Sequence, residues 1–142
     1  MSAASTASRR ESIKVRIRRQ SAPGTDPRWE TFSVPYEPNL NVISLLQKIA
    51  TMARNADGKE TTPVAWDCNC LEEVCGACTM VINGRVRQSC SALVDRLLEE
   101  KSDEVVLEPM AKFPVIRDLV VNRKRMFKAL EHLKSWGPVD DY

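Results

Sequence analysis

Four of the five cysteines in this 142-residue chain keep the spacing Cys70-x4-Cys75-x2-Cys78-x11-Cys90. Thiolates are soft donors suited to iron or zinc, and two irons bridged by two sulfides need two thiolates each. The first three cysteines repeat the C-x4-C-x2-C spacing of plant-type [2Fe–2S] sites, with the fourth supplied from further along the chain. One tight loop then provides three ligands and a remote strand the last. Gly76 and Ala77 carry little or no side chain, so the backbone there can run close to the sulfides and turn amide N–H groups toward a negative cluster. The expectation is one [2Fe–2S] cluster on Cys70, Cys75, Cys78 and Cys90, the four acting as both metal ligands and cofactor-binding residues.

Other chemistries fit less well. Structural zinc also takes four thiolates, but its sites favour two short knuckles and only Cys75-x-x-Cys78 forms one. A bacterial-type [4Fe–4S] site wants C-x2-C-x2-C, which is absent. A Rieske centre needs two histidines, and His132 stands alone. A thioredoxin-like dithiol at Cys75 and Cys78 leaves Cys70 and Cys90 without a role. Cys68 is the spare: it is placed to substitute for Cys70, but the x4 spacing belongs to Cys70, so it is expected outside the ligand set. Trp66 either shields the cluster from water or anchors the loop. His132 is expected in solvent, and Met126, Phe127 and Trp136 as packing residues of a terminal arm. No nucleophile–base arrangement or Gly-rich phosphate loop occurs, so no catalytic residue is assigned; any bond making belongs to another subunit.

The elements that must position these cysteines follow from periodicity. In residues 13–19, Ile13, Val15 and Ile17 alternate with Lys14, Arg16 and Arg18, the pattern of a half-buried strand. A Pro- and Gly-containing turn leads to a return strand over residues 29–34, stopped by Pro35 and Pro38. Val42, Leu45, Leu46, Ile49 and Ala53 follow helical spacing behind Asn41 as N-cap, with Asp57-Gly58 as the stop. Residues 64–78 lack a period and read as a loop. Asn83-Gly84, between two short strand segments over residues 79–82 and 85–88, predicts a type I′ hairpin that returns Cys90 to the loop. A helical turn near residues 93–98 and a strand at 105–107 follow. Pro114 is expected in the first turn of a helix, and Met126, Leu130 and Leu133 mark one face of a basic helix. The sum is a small α+β sheet with one helix packed across it.

Composition narrows the function classes. With 21 basic and 19 acidic residues the net charge is +2, which leaves no electrostatic footprint for nucleic acid. The basic run of Arg9, Arg10, Lys14, Arg16, Arg18 and Arg19 reads as a solvated strand face. No stretch approaches the roughly 20 apolar residues of a membrane span. The opening residues lack an apolar signal core, so the cysteines are expected in a reducing compartment, where metal or redox chemistry comes before disulfides.

The segment Asn69-Cys70-Leu71-Glu72-Glu73-Val74-Cys75-Gly76-Ala77-Cys78, with Met80-Val81-Ile82-Asn83-Gly84 and Gln88-Ser89-Cys90, resembles the N-terminal half of succinate dehydrogenase/fumarate reductase iron–sulfur subunits. So do Asn39-Leu40-Asn41-Val42 and the block from Glu108-Pro109-Met110 through Phe113-Pro114-Val115-Ile116-Arg117-Asp118 to Val121. The resemblance implies a β-grasp ferredoxin fold, placed over residues 13–111; the Ser-, Ala- and Arg-rich opening reads as a disordered tail over 1–12, and the pattern after Pro109 as a helical arm over 112–142. It maps the [2Fe–2S] ligands onto the same four cysteines. It also implies electron transfer within succinate:quinone oxidoreductase of the tricarboxylic acid cycle and respiratory chain. The electrons would come from the FAD of a flavoprotein subunit and pass toward quinone, with peripheral attachment at the cytoplasmic face of the inner or plasma membrane. Members of that family continue into a domain with [4Fe–4S] and [3Fe–4S] clusters that meets a cytochrome b-type membrane anchor. No cysteine follows Cys90 here, so the chain is expected to be a fragment or split form without that domain. The small iron–sulfur subunit of molybdenum hydroxylases is the alternative, although it carries four more cysteines and no Phe-Pro-Val-Ile-Arg-Asp block. A stand-alone ferredoxin is the other.

Overall fold

The alternation of Ile13, Val15 and Ile17 builds strand β1 (Ser12–Arg19), whose apolar side chains are fully buried. The structure, a computed structural model, describes residues 10–100 and 103–135; Arg9, Trp136 and most of the expected tail lie outside that range. Strand β2 (Arg28–Pro35) returns antiparallel, pairing Phe32 with Val15 and Val34 with Ile13. Arg19 departs from the expected solvated face. It is in phase with Ile13, Val15 and Ile17, and period-two geometry turns it inward, where it is 1% exposed. Its guanidinium donates to Asp118 at 2.9 Å, to Glu30 at 2.6 Å and to the Thr62 carbonyl at 3.0 Å. These partners make burial of the charge tolerable.

Helix α1 (Val42–Met52) begins where expected: the Asn41 side chain accepts from the Ser44 amide at 2.8 Å. It buries Val42, Ile43, Leu45, Leu46 and Ile49. It stops short of Asp57-Gly58, because Ala53 enters the left-handed region at φ 50° and closes the helix on the Ile49 carbonyl. Asp57 and Gly58 belong to a separate turn organised by Asn55, whose side chain accepts from the Asp57 and Lys59 amides.

Strands β3 (Thr79–Ile82) and β4 (Arg85–Gln88) form the expected hairpin, with φ 48° at Asn83 and 78° at Gly84, both positive as a type I′ turn requires. Asn83 also ties the hairpin to its neighbour by accepting from the Val106 amide at 2.8 Å. Helix α2 (Val94–Glu100) leads to β5 (Glu104–Glu108). The sheet order is β2-β1-β5-β3-β4, with β5 parallel to β1 and antiparallel to β3. A parallel pair needs a long crossover, and α1, the cysteine loop and the hairpin all lie within it. The result is the α+β, β-grasp architecture, with α1 and the sheet sharing one core.

Beyond Pro109 the course differs from expectation. Pro114 opens no helix; it precedes β6 (Val115–Arg117), which pairs antiparallel with β7 (Val120–Val121) around Asp118 at φ 47°. The β-branched Val115, Ile116, Val120 and Val121 favour strand over helix. Asp118, Leu119 and Val121 are buried, so the packed body continues past residue 111 to Val121. Helix α3 (Lys124–His132) follows with no buried residue; His132 is exposed, and so are Met126 and Phe127, which had been expected to pack. Among the described residues, no helix is long and apolar enough to cross a membrane.

Candidate metal centre

The cysteine loop has no helix or strand of its own, so its placement depends on anchors at both ends. At the entry, Val64 is buried, the Ala65 amide donates to Asp118 at 2.9 Å, and the Ala65 carbonyl accepts from the Leu119 amide at 3.1 Å. Trp66 follows, packed against the core and against Ile43, Cys78 and Cys90. It therefore anchors the loop and covers one side of the cysteines.

At the exit, Cys78 leads into β3 and Cys90 follows β4. The Thr79–Gln88 pairing closes the hairpin's open end and brings the two cysteines together. Ser89, fully buried, donates its amide (3.3 Å) and its hydroxyl (2.8 Å) to the Cys78 carbonyl. Asn41, already the α1 cap, donates its side-chain amide to the Cys90 carbonyl at 3.0 Å. Both cysteines are buried.

Cys70 and Cys75 form a second pair at the solvent edge. The Cys75 amide donates to the Cys70 sulfur at 3.3 Å, and the Cys70 amide donates to the Cys75 sulfur at 3.5 Å. Glu72 adds an amide to Cys70 at 3.4 Å and Ala77 one to Cys75 at 3.4 Å. The backbone bends to do this: Leu71, Glu73 and Gly76 have φ of 62°, 60° and 70°. Residues alternating in and out of the left-handed region turn successive N–H groups to one side, which makes a concavity for negative charge.

These amides mark the electrostatics of the site. The Glu72 amide first, then those of Cys75 and Val74, hold the Cys70 thiol down at about 7. Burial pushes the Cys90 thiol up, opposed by the Glu73 amide and reinforced by the neighbouring Cys78 and Cys70 sulfurs. The four predicted cysteines are thus brought together as two pairs, Cys70 with Cys75 and Cys78 with Cys90. Cys68 lies exposed on the loop. Among the described residues, no three His, Cys, Asp or Glu side chains close on a single-ion site. Paired thiols ringed by amide donors fit a two-iron, two-sulfide group, in which each iron takes two thiolates.

Sequence reasoning missed several supports: Asp118 at the loop entry, Ser89 behind Cys78, the second bond of Asn41, and Arg123. Arg123 donates to the Gly76 and Ala77 carbonyls, each at 2.7 Å. The phase of Arg19 offers a signal for its partner Asp118. Nothing in the local pattern around Arg123 points to the loop.

The fold and the paired thiols define an iron–sulfur domain of the ferredoxin type. The chain belongs to the family described as "2Fe-2S iron-sulfur cluster binding domain", which matches residues 14–128, and its cofactor is a [2Fe–2S] cluster. It is 52% identical over 133 residues to the succinate dehydrogenase iron–sulfur subunit of Bacillus subtilis, covering 94% of this chain and 51% of that protein. It is 27% identical to the fumarate reductase iron–sulfur subunit of Haemophilus influenzae, covering 78% of this chain and 39% of that one. The chain therefore spans about half or less of the length of these relatives. The fold is also that of a chain in the Mycobacterium smegmatis Sdh1 complex in the apo form, with a TM-score of 0.72 at 24% identity, covering 92% of this chain and 50% of that one.

Proposed function

We propose that Cys70, Cys75, Cys78 and Cys90 are the cluster ligands and that the chain is the electron-carrying [2Fe–2S] part of a succinate dehydrogenase or fumarate reductase iron–sulfur subunit. In that role it accepts single electrons from the FAD of a flavoprotein subunit and delivers them toward quinone. The observation that carries this reading is the unequal exposure of the two cysteine pairs. Cys78 and Cys90 are buried beside Ile43 and Trp66, while Cys70 and Cys75 lie at the solvent edge. The buried pair fixes the site to the sheet and α1. The outer pair lies beside Leu71 and Val74, which are 53% and 81% exposed and give a partner an apolar lip to cover.

When bound, the cluster supplies a one-electron couple, so the two-electron chemistry of succinate and fumarate falls to the flavin. The work of this chain is to hold sulfurs in place, point amides at them and limit water on the Trp66 side. Met126, Phe127 and Leu130 on α3, with Leu133 at its C-cap, are exposed among basic side chains, which supports an arm that docks on the flavoprotein or on a further cluster-bearing domain. Contact with a membrane anchor belongs to that further domain, with peripheral attachment at the cytoplasmic face.

The test is EPR of the dithionite-reduced protein with iron and sulfide quantified. One rhombic S = 1/2 signal with equal iron and sulfide is expected; colourless protein holding only zinc would overturn the reading. Native co-purification should bring down an FAD-containing subunit, and Phe127→Glu should weaken its capture.

A further inference from the structure

Arg123 lies between β7 and α3, far along the chain from the cysteine loop, yet its guanidinium reaches into it. Nη1 donates to the Gly76 carbonyl and Nη2 to the Ala77 carbonyl, each at 2.7 Å, with the Thr79 carbonyl at 3.5 Å from Nη2. Those first two carbonyls belong to the peptide units between Ala77 and its neighbours, in the turn that separates Cys75 from Cys78. The Gly76 carbonyl shares its peptide plane with the Ala77 N–H, the group that donates to the Cys75 sulfur at 3.4 Å. A peptide unit is rigid, so fixing the oxygen fixes the direction of the N–H. The Thr79 hydroxyl and amide donate to the same oxygen at 2.7 and 3.1 Å, so three donors hold it. A cationic donor on a carbonyl also polarises the amide, and its N–H becomes the stronger donor.

We propose that Arg123 is a positioning residue of the metal centre: its fork on the Gly76 and Ala77 carbonyls aims the Ala77 amide at the Cys75 sulfur and raises the cluster's reduction potential. The inference rests on the ligand assignment proposed above. Reduction adds negative charge to the cluster, and both a firmer N–H···S bond and a nearby cation favour the reduced state. The geometry suits arginine, whose planar fork meets two carbonyls at once; lysine keeps the charge as a single point and cannot hold both planes.

The experiment compares the whole chain with Arg123→Lys, Arg123→Gln and Arg125→Gln, each loaded with iron and sulfide, by redox titration followed by EPR. Arg125 lies over the Phe113 ring and serves as a basic control from the adjoining helix α3. Arg123→Gln should shift the potential to more negative values and move the g-values. Arg123→Lys should shift it less, and Arg125→Gln should match the parent. If Arg123→Gln cannot hold the cluster, the potential of Arg123→Lys decides. A lower melting temperature with unmoved potential and g-values would reduce Arg123 to a structural role and overturn the proposal. A parent that binds no iron and sulfide would overturn the ligand assignment and the clamp together, whereas a loaded parent with unmoved variants overturns the clamp alone.

Discussion

Cys70 and Cys75 are tied to each other reciprocally: the backbone amide of each donates to the sulfur of the other, at 3.5 and 3.3 Å. The sulfurs therefore act as hydrogen-bond hubs for a loop that otherwise has no regular structure. A metal group bound to those thiolates adds its binding free energy to that order. Cys75→Ser should lose the cluster and lower the melting temperature in one step. Visible absorption and a thermal melt on the same sample check this. Cluster loss with an unchanged melt would show that loop order and metal binding are independent.

Cys68 tests the ligand assignment from the other direction. It is exposed, and it takes part in none of the amide–sulfur bonds that tie Cys70 to Cys75. Cys68→Ser should leave the visible spectrum and the iron content of the protein unchanged. A bleached variant would transfer a ligand role from Cys70 to Cys68.

Asp118 joins three separated stretches of chain. It accepts from Arg19 Nε at 2.9 Å, from the Gln20 amide at 3.1 Å and from the Ala65 amide at 2.9 Å. Both it and Arg19 are almost fully buried. Without Asp118, Arg19 keeps only Glu30 as a carboxylate partner, and the Gln20 and Ala65 amides lose their acceptor, together a cost of about 3–5 kcal/mol. Asp118→Ala should destabilise the protein by that order in denaturant unfolding. Asp118→Asn, which keeps an acceptor for the amides, should cost less. Since Ala65 starts the cysteine loop, Asp118→Ala should also hasten cluster bleaching. A loss below about 1 kcal/mol, the scale of a surface pair, would show that the network is not what holds the β6–β7 turn to β1.

Much of this architecture was legible because its signals are local. The alternation in β1, the Asn41 cap and the Asn83-Gly84 turn each act within a few residues, and each element forms where the pattern puts it. The cysteine spacing is also local, and the hairpin that returns Cys90 follows from one dipeptide. What escaped depends on long-range partners. Arg19 reads as one more member of a basic strand face, although its phase with Ile17 places it inside; partners from other segments, Asp118, Glu30 and the Thr62 carbonyl, make that burial tolerable. Pro114 suggested a helix start, but the β-branched pairs on either side of Asp118 favoured a hairpin that the body could bury. Arg123 serves the cysteine loop through carbonyls, which carry no side-chain signature. No pattern in the loop announces that its carbonyls need a donor.

Gly76 separates two physical reasons for a glycine at one place. From sequence, its value is the close passage of backbone by the sulfides. In the structure its φ is +70°, and an added Cβ would meet only Thr79 Oγ1, at an ordinary 3.7 Å. The conformational reason therefore outweighs crowding within the protein itself. A left-handed backbone costs a residue with a Cβ about 1–2 kcal/mol, and asparagine bears that region better than alanine. Gly76→Ala should lower stability by roughly that amount, and Gly76→Asn by less, despite its greater bulk. Thermal melts of the cluster-loaded variants decide between the two causes. If asparagine proves the worse substitution, and bleaches the cluster where alanine does not, then space beside the sulfurs is what the glycine provides.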